Sequence, residues 1–170
     1  MDIRLDKIDT SSGLDGLEIL KEIANDPDIY GESPVPKEID EFLYKGFLLI
    51  SEAESMEDFE NRCDRYWIVL DNKKIGYADI RHALDEETSK IGGNIGTVLI
   101  KKYRNKGLGS IILKELISKA HNEIGLNEVL VTTDENNIPA RKMIESLGGE
   151  LSDIDGHCHY WFMNKTKVHK

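Results

Sequence analysis

Ile95-Gly-Thr-Val-Leu-Ile100-Lys-Lys-Tyr-Arg104-Asn-Lys-Gly107-Leu-Gly109-Ser110 is the stretch from which the fold can be read. Its first six residues have the β-branched and apolar character of a strand. From Leu108 the apolar residues Leu108, Ile111, Ile112, Leu116, Ile117, Ala120 and Ile124 recur at a period of about 3.6, which predicts a long helix with one core-facing side. A helix start leaves its first N–H groups without internal partners, and the helix dipole adds positive charge there. Gly107 and Gly109 remove Cβ atoms from that corner, while Arg104 and Lys106 bring cations to it. The segment therefore suits a pyrophosphate. A Walker loop is absent, and the dinucleotide fingerprint would want a third glycine where Ile112 stands.

Downstream, Gly125 closes the helix, and residues 128–133 have the continuous apolar run of a buried parallel strand. Residues 139–147 predict a short helix ended by Gly148 and Gly149, and residues 150–151 and 159–163 predict closing antiparallel strands. Upstream, residues 66–70 and 74–81 predict a hairpin turning at Asp71-Asn72-Lys73, followed by a loop through residues 85–89. Ile3, Leu5 and Ile8 alternate as an opening strand, and residues 15–24 place Leu17, Leu20, Ile23 and Ala24 on one side of a helix. Pro27, Pro34 and Pro36 bracket a loop, and a second helix from Lys37 carries Ile39, Phe42, Leu43, Phe47 and Ile50 as its apolar set. This order is an α+β layout: a mixed sheet with helices on its faces.

The 170 residues suit one domain with one core. Apolar residues make up 39% and charged residues 32%, a balance that fits a folded chain rather than a disordered one. The start lacks the apolar core of a signal peptide, and no apolar run approaches the roughly 20 residues of a bilayer span, so a cytoplasmic location is expected. Cys63 and Cys158 are expected to be reduced thiols. The net charge of -10 is concentrated early: residues 1–65 hold 18 acidic and 7 basic side chains, near -11. Such a field disfavours nucleic acid, which wants a basic stripe, and can draw in a cationic substrate; a solvated acidic face is the plainer reading.

Arg104-x-x-Gly107-x-Gly109, then Asn137-Ile-Pro-Ala140 opening a short helix that ends in Gly148-Gly149, resembles the GNAT acetyltransferases over about residues 67–163. Ile80-Arg81-His82, Gly92-Gly93-Asn94-Ile95-Gly96 and Tyr160-Trp161 resemble a bacterial subgroup of acetyltransferases. The resemblance implies a single domain over residues 1–170, with residues 1–65 on the acceptor side and residues 66–165 as the acetyl-CoA-binding core. It implies a GNAT-like, mostly antiparallel central sheet with helices on both faces. It also implies that Val98 and Leu99 offer backbone groups to the pantetheine arm, that Asn105, Lys106, Gly107, Leu108, Gly109 and Ser110, beside Arg104, hold the pyrophosphate, and that Asn137 lines the arm's far side. Capping of the following helix is the structural alternative for Asn137.

The implied reaction moves an acetyl group from acetyl-CoA to a primary amine of a small-molecule or peptide acceptor by direct attack, with a backbone N–H near Val98 or Leu99 meeting the oxyanion. Two positions depart from the family pattern: Ile144 stands where many relatives carry a tyrosine acid, and Asn94 where the subgroup has histidine. Tyr103 or Tyr160 then remain as acids. Asp79, His82 and Glu135 are candidate bases, with His82 first because its unperturbed pKa is the most convenient; packing or hydrogen bonding is its other reading. Arg81 suits an ion pair better than an acidic substrate group. His157-Cys158-His159 is not read as a metal site, because strand alternation sends Cys158 to the opposite face. The alternative function is an acyl-CoA-binding or regulatory module without catalysis; the expected assembly is a monomer or homodimer.

Overall fold

The computed structural model describes residues 1–29 and 35–165. Pro34, one of the three loop prolines, lies outside them. The order is β1 (Ile3–Lys7), α1 (Asp15–Ala24), α2 (Glu41–Glu54), β2 (Cys63–Leu70), β3 (Lys73–Arg81), α3 (Glu86–Lys90), β4 (Ile95–Leu99), a 3-10 turn (Lys101–Tyr103), α4 (Leu108–Lys119) running into a π-helical segment (Ala120–Ile124), β5 (Glu128–Asp134), α5 (Ile138–Ser146), β6 (Glu150–Asp155) and β7 (His157–Met163). The strands form two sheets, β1-β2-β3-β4 and β5-β7-β6. This α+β architecture has helices on both faces.

Two cores sit on opposite sides of the first sheet. Ile68, Ala78, Ile80 and Ile95 pack under α4 and α5 with Leu116, Ile144 and Tyr160. Trp67, Val69 and Tyr77 pack under α1 and α2 with Leu20, Ile23, Tyr44 and Leu48. The alternation along β2 and β3 thus feeds both layers, because successive side chains leave opposite faces of a strand. The hairpin turns on Asp71 (φ 47) and Asn72 (φ 69), the paired left-handed conformation that a two-residue loop requires.

Several expectations are corrected. Residues 128–133 do not form a parallel ladder: β5 pairs antiparallel with β7, and its buried run Val129–Val131 is explained by cover from α4 and α5. The second helix starts at Glu41 rather than Lys37, because the Asp40 side chain accepts a hydrogen bond from the Leu43 N–H at 2.9 Å and caps it there. Its buried side is Tyr44, Leu48 and Ser51, while Phe42 is 82% exposed and Leu43, Leu49 and Ile50 also face out. On α4, Leu113 is buried and Ile111 is 40% exposed. The expected loop after Asp85 holds α3, nucleated by reciprocal Asp85–Thr88 capping. No helix among the described residues is long and apolar enough to cross a membrane.

Candidate active site

The site is built where the two sheets part. β4 pairs along one side only, with β3, and toward β5 it makes a single bridge, Gly93 to Val131. Asn94, 4% exposed, fastens this junction: its N–H donates to Leu130 O and its side-chain Oδ1 accepts from Leu130 N, both at 2.8 Å, while Nδ2 donates to Arg81 O at 2.9 Å. Past this rivet the outer edge of β4 carries residues 96–99 with no strand beside it among the described residues, and Thr97 is exposed. An open strand edge presents backbone donors and acceptors to an extended, amide-bearing ligand. Val98 leans into the α1/α2 core and Leu99 into the α4 core. The Leu99 carbonyl is already taken, accepting from Arg104 Nε at 2.9 Å.

Beyond β4 the chain turns sharply. Asn105 (φ 59) and Gly107 (φ 78) are left-handed, and Gly107 occupies the cap position of α4 without a side-chain cap. Among the described residues, none of the backbone hydrogen bonds outside the regular elements is donated by residues 105 to 110. Asn105, Lys106 and Gly107 are exposed, and a Cβ on Gly107 would meet nothing within 4 Å. A run of N–H groups converging on open space at a helix start is an anion cradle, and a diphosphate fits it. Two expected residues serve other ends. Arg104 points back into the protein, paired through Nη2 with Asp26 Oδ2 at 2.5 Å, so it braces the turn against the segment after α1. Gly109 makes room for Met143 of α5, whose Sδ lies 3.1 Å from the position a Cβ would take.

Asn137 caps α5, its Oδ1 accepting from the Ala140 N–H at 3.3 Å. Asp26 is held below the usual carboxylate range: burial pushes it up, but the Asp28 N–H and Arg104 outweigh that.

The structure does not bring His82 to this junction. Its Nε2 lies 2.7 Å from Asp64 Oδ2, both residues are buried, and Phe59 packs edge-on at 5.3 Å. Asp64 also receives Lys7 at 3.0 Å and Arg62 at 3.2 Å. This cluster borders a cavity of about 470 Å³ closed by Glu123 and Ile124, at the end of α4 remote from the phosphate turn. Tyr160 is fully buried, donating its hydroxyl to Glu145 Oε1 at 2.7 Å and accepting from Arg141 Nε at 3.2 Å. Burial raises its pKa; Arg141 pulls it down and Glu145 pushes it up. Glu135 is exposed. Arg81 Nη1 donates to Gly93 O at 3.1 Å, holding the glycine turn before β4. Cys158 is fully buried in the α4/α5 core, His159 Nε2 lies 2.8 Å from Lys90 O, and no metal-ligand cluster occurs among the described residues.

Of the three candidate bases, Asp79 is the one that the register places beside β4. It lies across from Gly96 of β4, and its Oδ1 is buried without a hydrogen-bond partner. Only its place on β3, on the α2 side beside a glycine, marks it in the sequence.

Comparison with solved structures finds the same fold repeatedly. The N-acetyltransferase PseH from Campylobacter jejuni, solved in complex with acetyl coenzyme A, superposes with a TM-score of 0.67 at 16% identity, covering 96% of this chain and 100% of that one. A Streptococcus pneumoniae acetyltransferase of the GNAT family gives 0.66 at 15% identity, covering 95% and 99%. A spermidine N-acetyltransferase SpeG chimera from Vibrio cholerae and hSSAT gives 0.71 at 9% identity, with all of both chains covered. No curated protein sequence matches the chain. The family model described as acetyltransferase (GNAT) family matches residues 27–148, the span from the end of α1 through the open β4 edge, the phosphate turn and α5, and the chain therefore belongs to that family.

Proposed function

We propose that this protein transfers the acetyl group of acetyl-CoA to a primary amine by direct attack in a ternary complex. The observation that carries the reading is the run of backbone amides at residues 105 to 110, free of loop and cap hydrogen bonds, next to the one-sided edge of β4. Residues 105 to 110 would hold the diphosphate, helped by Lys106 and the α4 dipole. The pantetheine arm would pair with the backbone of β4 at Leu99 rather than at Val98, whose carbonyl turns toward Gly76 of β3, and Asn137 Nδ2, left over after the helix cap, would line the arm's far side. Leu99 contributes its N–H side of the edge, since Arg104 occupies its carbonyl. The reading is one of positioning: two substrates held across a split sheet, with no enzyme-bound acyl group.

Isothermal calorimetry with acetyl-CoA and release of free thiol in the presence of amines test it. Binding in the micromolar range and amine-dependent thiol release are expected, with Lys106→Glu weakening binding about tenfold through an added like charge at the helix start. No binding at millimolar acetyl-CoA sinks the reading. Burial of Ile144 in the core, at 2% exposure, favours the non-catalytic acyl-CoA module as the second reading, because no acid replaces tyrosine at that position. Binding without thiol release for any amine would establish it.

A further inference from the structure

Asp79 sits among groups that leave it unsatisfied. It projects from β3 onto the face shared by Tyr77 and α2, with a side chain 17% exposed. Arg65 approaches Asp79 Oδ2 at only 4.0 Å, because its guanidinium is engaged by Ser51 Oγ at 2.9 Å and Glu54 Oε2 at 3.4 Å. Arg81 spends a donor on Gly93 O. Asp79 Oδ1 is thus buried with no hydrogen-bond partner among the described residues, against the backbone of Gly96, where any side chain would collide with it. A buried carboxylate oxygen left without a donor costs free energy on the order of 1–3 kcal/mol or more, so its retention calls for a ligand that supplies one.

That oxygen lies against Gly96, the one residue of β4 that has no side chain to block it. Gly96 lies two positions past Asn94, where β4 loses contact with β5. The reacting end of a ligand lying along that edge would reach Asp79. We infer that Asp79 receives the acceptor as an ammonium and removes its proton, which makes the substrate a cationic primary amine. This rests on the acetyl-transfer reading and adds to it the base and the charge of the acceptor. In the step, Asp79 takes one proton from R–NH3+. The amine nitrogen forms the C–N bond to the thioester carbonyl carbon as the C–S bond breaks, and a second nitrogen proton goes to the departing thiolate. Asp79 then returns its proton to water.

The surroundings tune this role. Burial pushes the Asp79 carboxyl above the ordinary carboxylate range and Glu54 adds to that, while Arg81, Arg65 and the Gly96 amide pull it back. The Gly96 amide lies close enough to the carboxylate to favour its charged form, but not in the geometry of a full hydrogen bond to Oδ1. Cys63 and Tyr77, the other titratable neighbours, stay neutral near pH 7 because burial raises both to about 12. A base lifted above its usual value suits proton removal near neutral pH.

The test is thiol release with n-butylamine, 1,4-diaminobutane and 1-butanol as acceptors, with calorimetry against acetyl-CoA on the same samples. Transfer to both amines and not to the alcohol is expected. Asp79→Asn should bind acetyl-CoA within about threefold of the wild type and lose roughly 100-fold or more in kcat, and Asp79→Glu should recover part of it. The wild-type kcat should fall on the acid side, and Asp79→Asn should lack that limb. Asp79→Asn with kcat within about threefold and an unchanged acid limb overturns the assignment alone, as does equal transfer to 1-butanol. If Asp79→Asn loses acetyl-CoA binding, the wild-type profile decides: a flat kcat between about pH 5 and pH 9 overturns the role of Asp79. Wild type that binds no acetyl-CoA, or serves neither amine, removes acetyl transfer and this assignment together.

Discussion

Asn94 and Leu130 exchange two hydrogen bonds at 2.8 Å each, one from backbone to backbone and one from backbone to side chain, and this pair is where the two sheets are joined. Replacing Asn94 by alanine would leave the buried Leu130 N–H and the Arg81 carbonyl without their partners. A loss of about 2–4 kcal/mol is expected from two orphaned backbone groups. Urea denaturation of Asn94→Ala measures it, and a loss under about 0.5 kcal/mol would show that the junction is held elsewhere.

Arg104 and Asp26 lie far apart in sequence and form an ion pair 25% and 4% exposed at the side chains. Arg104→Ala would strand the Asp26 carboxylate, and a loss of roughly 1–3 kcal/mol is expected, less than for a fully buried pair because Arg104 keeps contact with water. The Asp26 pKa is lowered on folding, so its contribution is fully present above the unfolded value and disappears as pH falls through the folded one. The stability difference between wild type and Asp26→Asn should therefore shrink below about pH 4, which thermal denaturation across pH 2.5 to 7 will show.

His82 is bonded to Asp64 at the end of α4 remote from the phosphate turn. His82→Gln is expected to lower the melting temperature by several degrees, about 1–2 kcal/mol for a weakened buried hydrogen bond to a charged group, with acetyl transfer lowered far less than by Asp79→Asn. A drop in kcat beyond tenfold at unchanged melting temperature would return the catalytic role to His82.

The Cys63 thiol is buried, and burial, with Asp79 second, raises its pKa to about 12. Thiolate is the reactive form, so Cys63 should resist iodoacetamide at pH 8 in the native protein and react in urea. Rapid native labelling of Cys63, located by peptide mass spectrometry, would contradict this burial.

The parts of the site legible in sequence are those made by neighbours in the chain. The turn at residues 105 to 110 follows from local conformational demands on Asn105 and Gly107, and α5 follows from Asn137 and Pro139 at its start. What sequence could not show depends on distant partners. Nothing near Arg104 points to Asp26, and nothing near Asn94 points to Leu130. The buried face of α2 escapes sequence for another reason: the helix carries apolar residues on two sides, with Tyr44 and Leu48 on one and Phe42, Leu49 and Ile50 on the other. Periodicity cannot choose between two oily faces. Unperturbed acidity favours His82 over Asp79, and it ignores that Asp79 lies on β3 opposite Gly96 while His82, just past the end of β3, is bonded to Asp64.

The grip of Arg104 also ties two events that look separate. Its guanidinium holds Leu99 O through Nε, on the edge proposed to seat the donor, and Asp26 through Nη2, just past the first helix on the proposed acceptor wall. Whatever nudges that wall tugs the donor's seat by the same lever. Occupancy on one side should then alter affinity on the other, equally in both directions, as thermodynamic reciprocity demands.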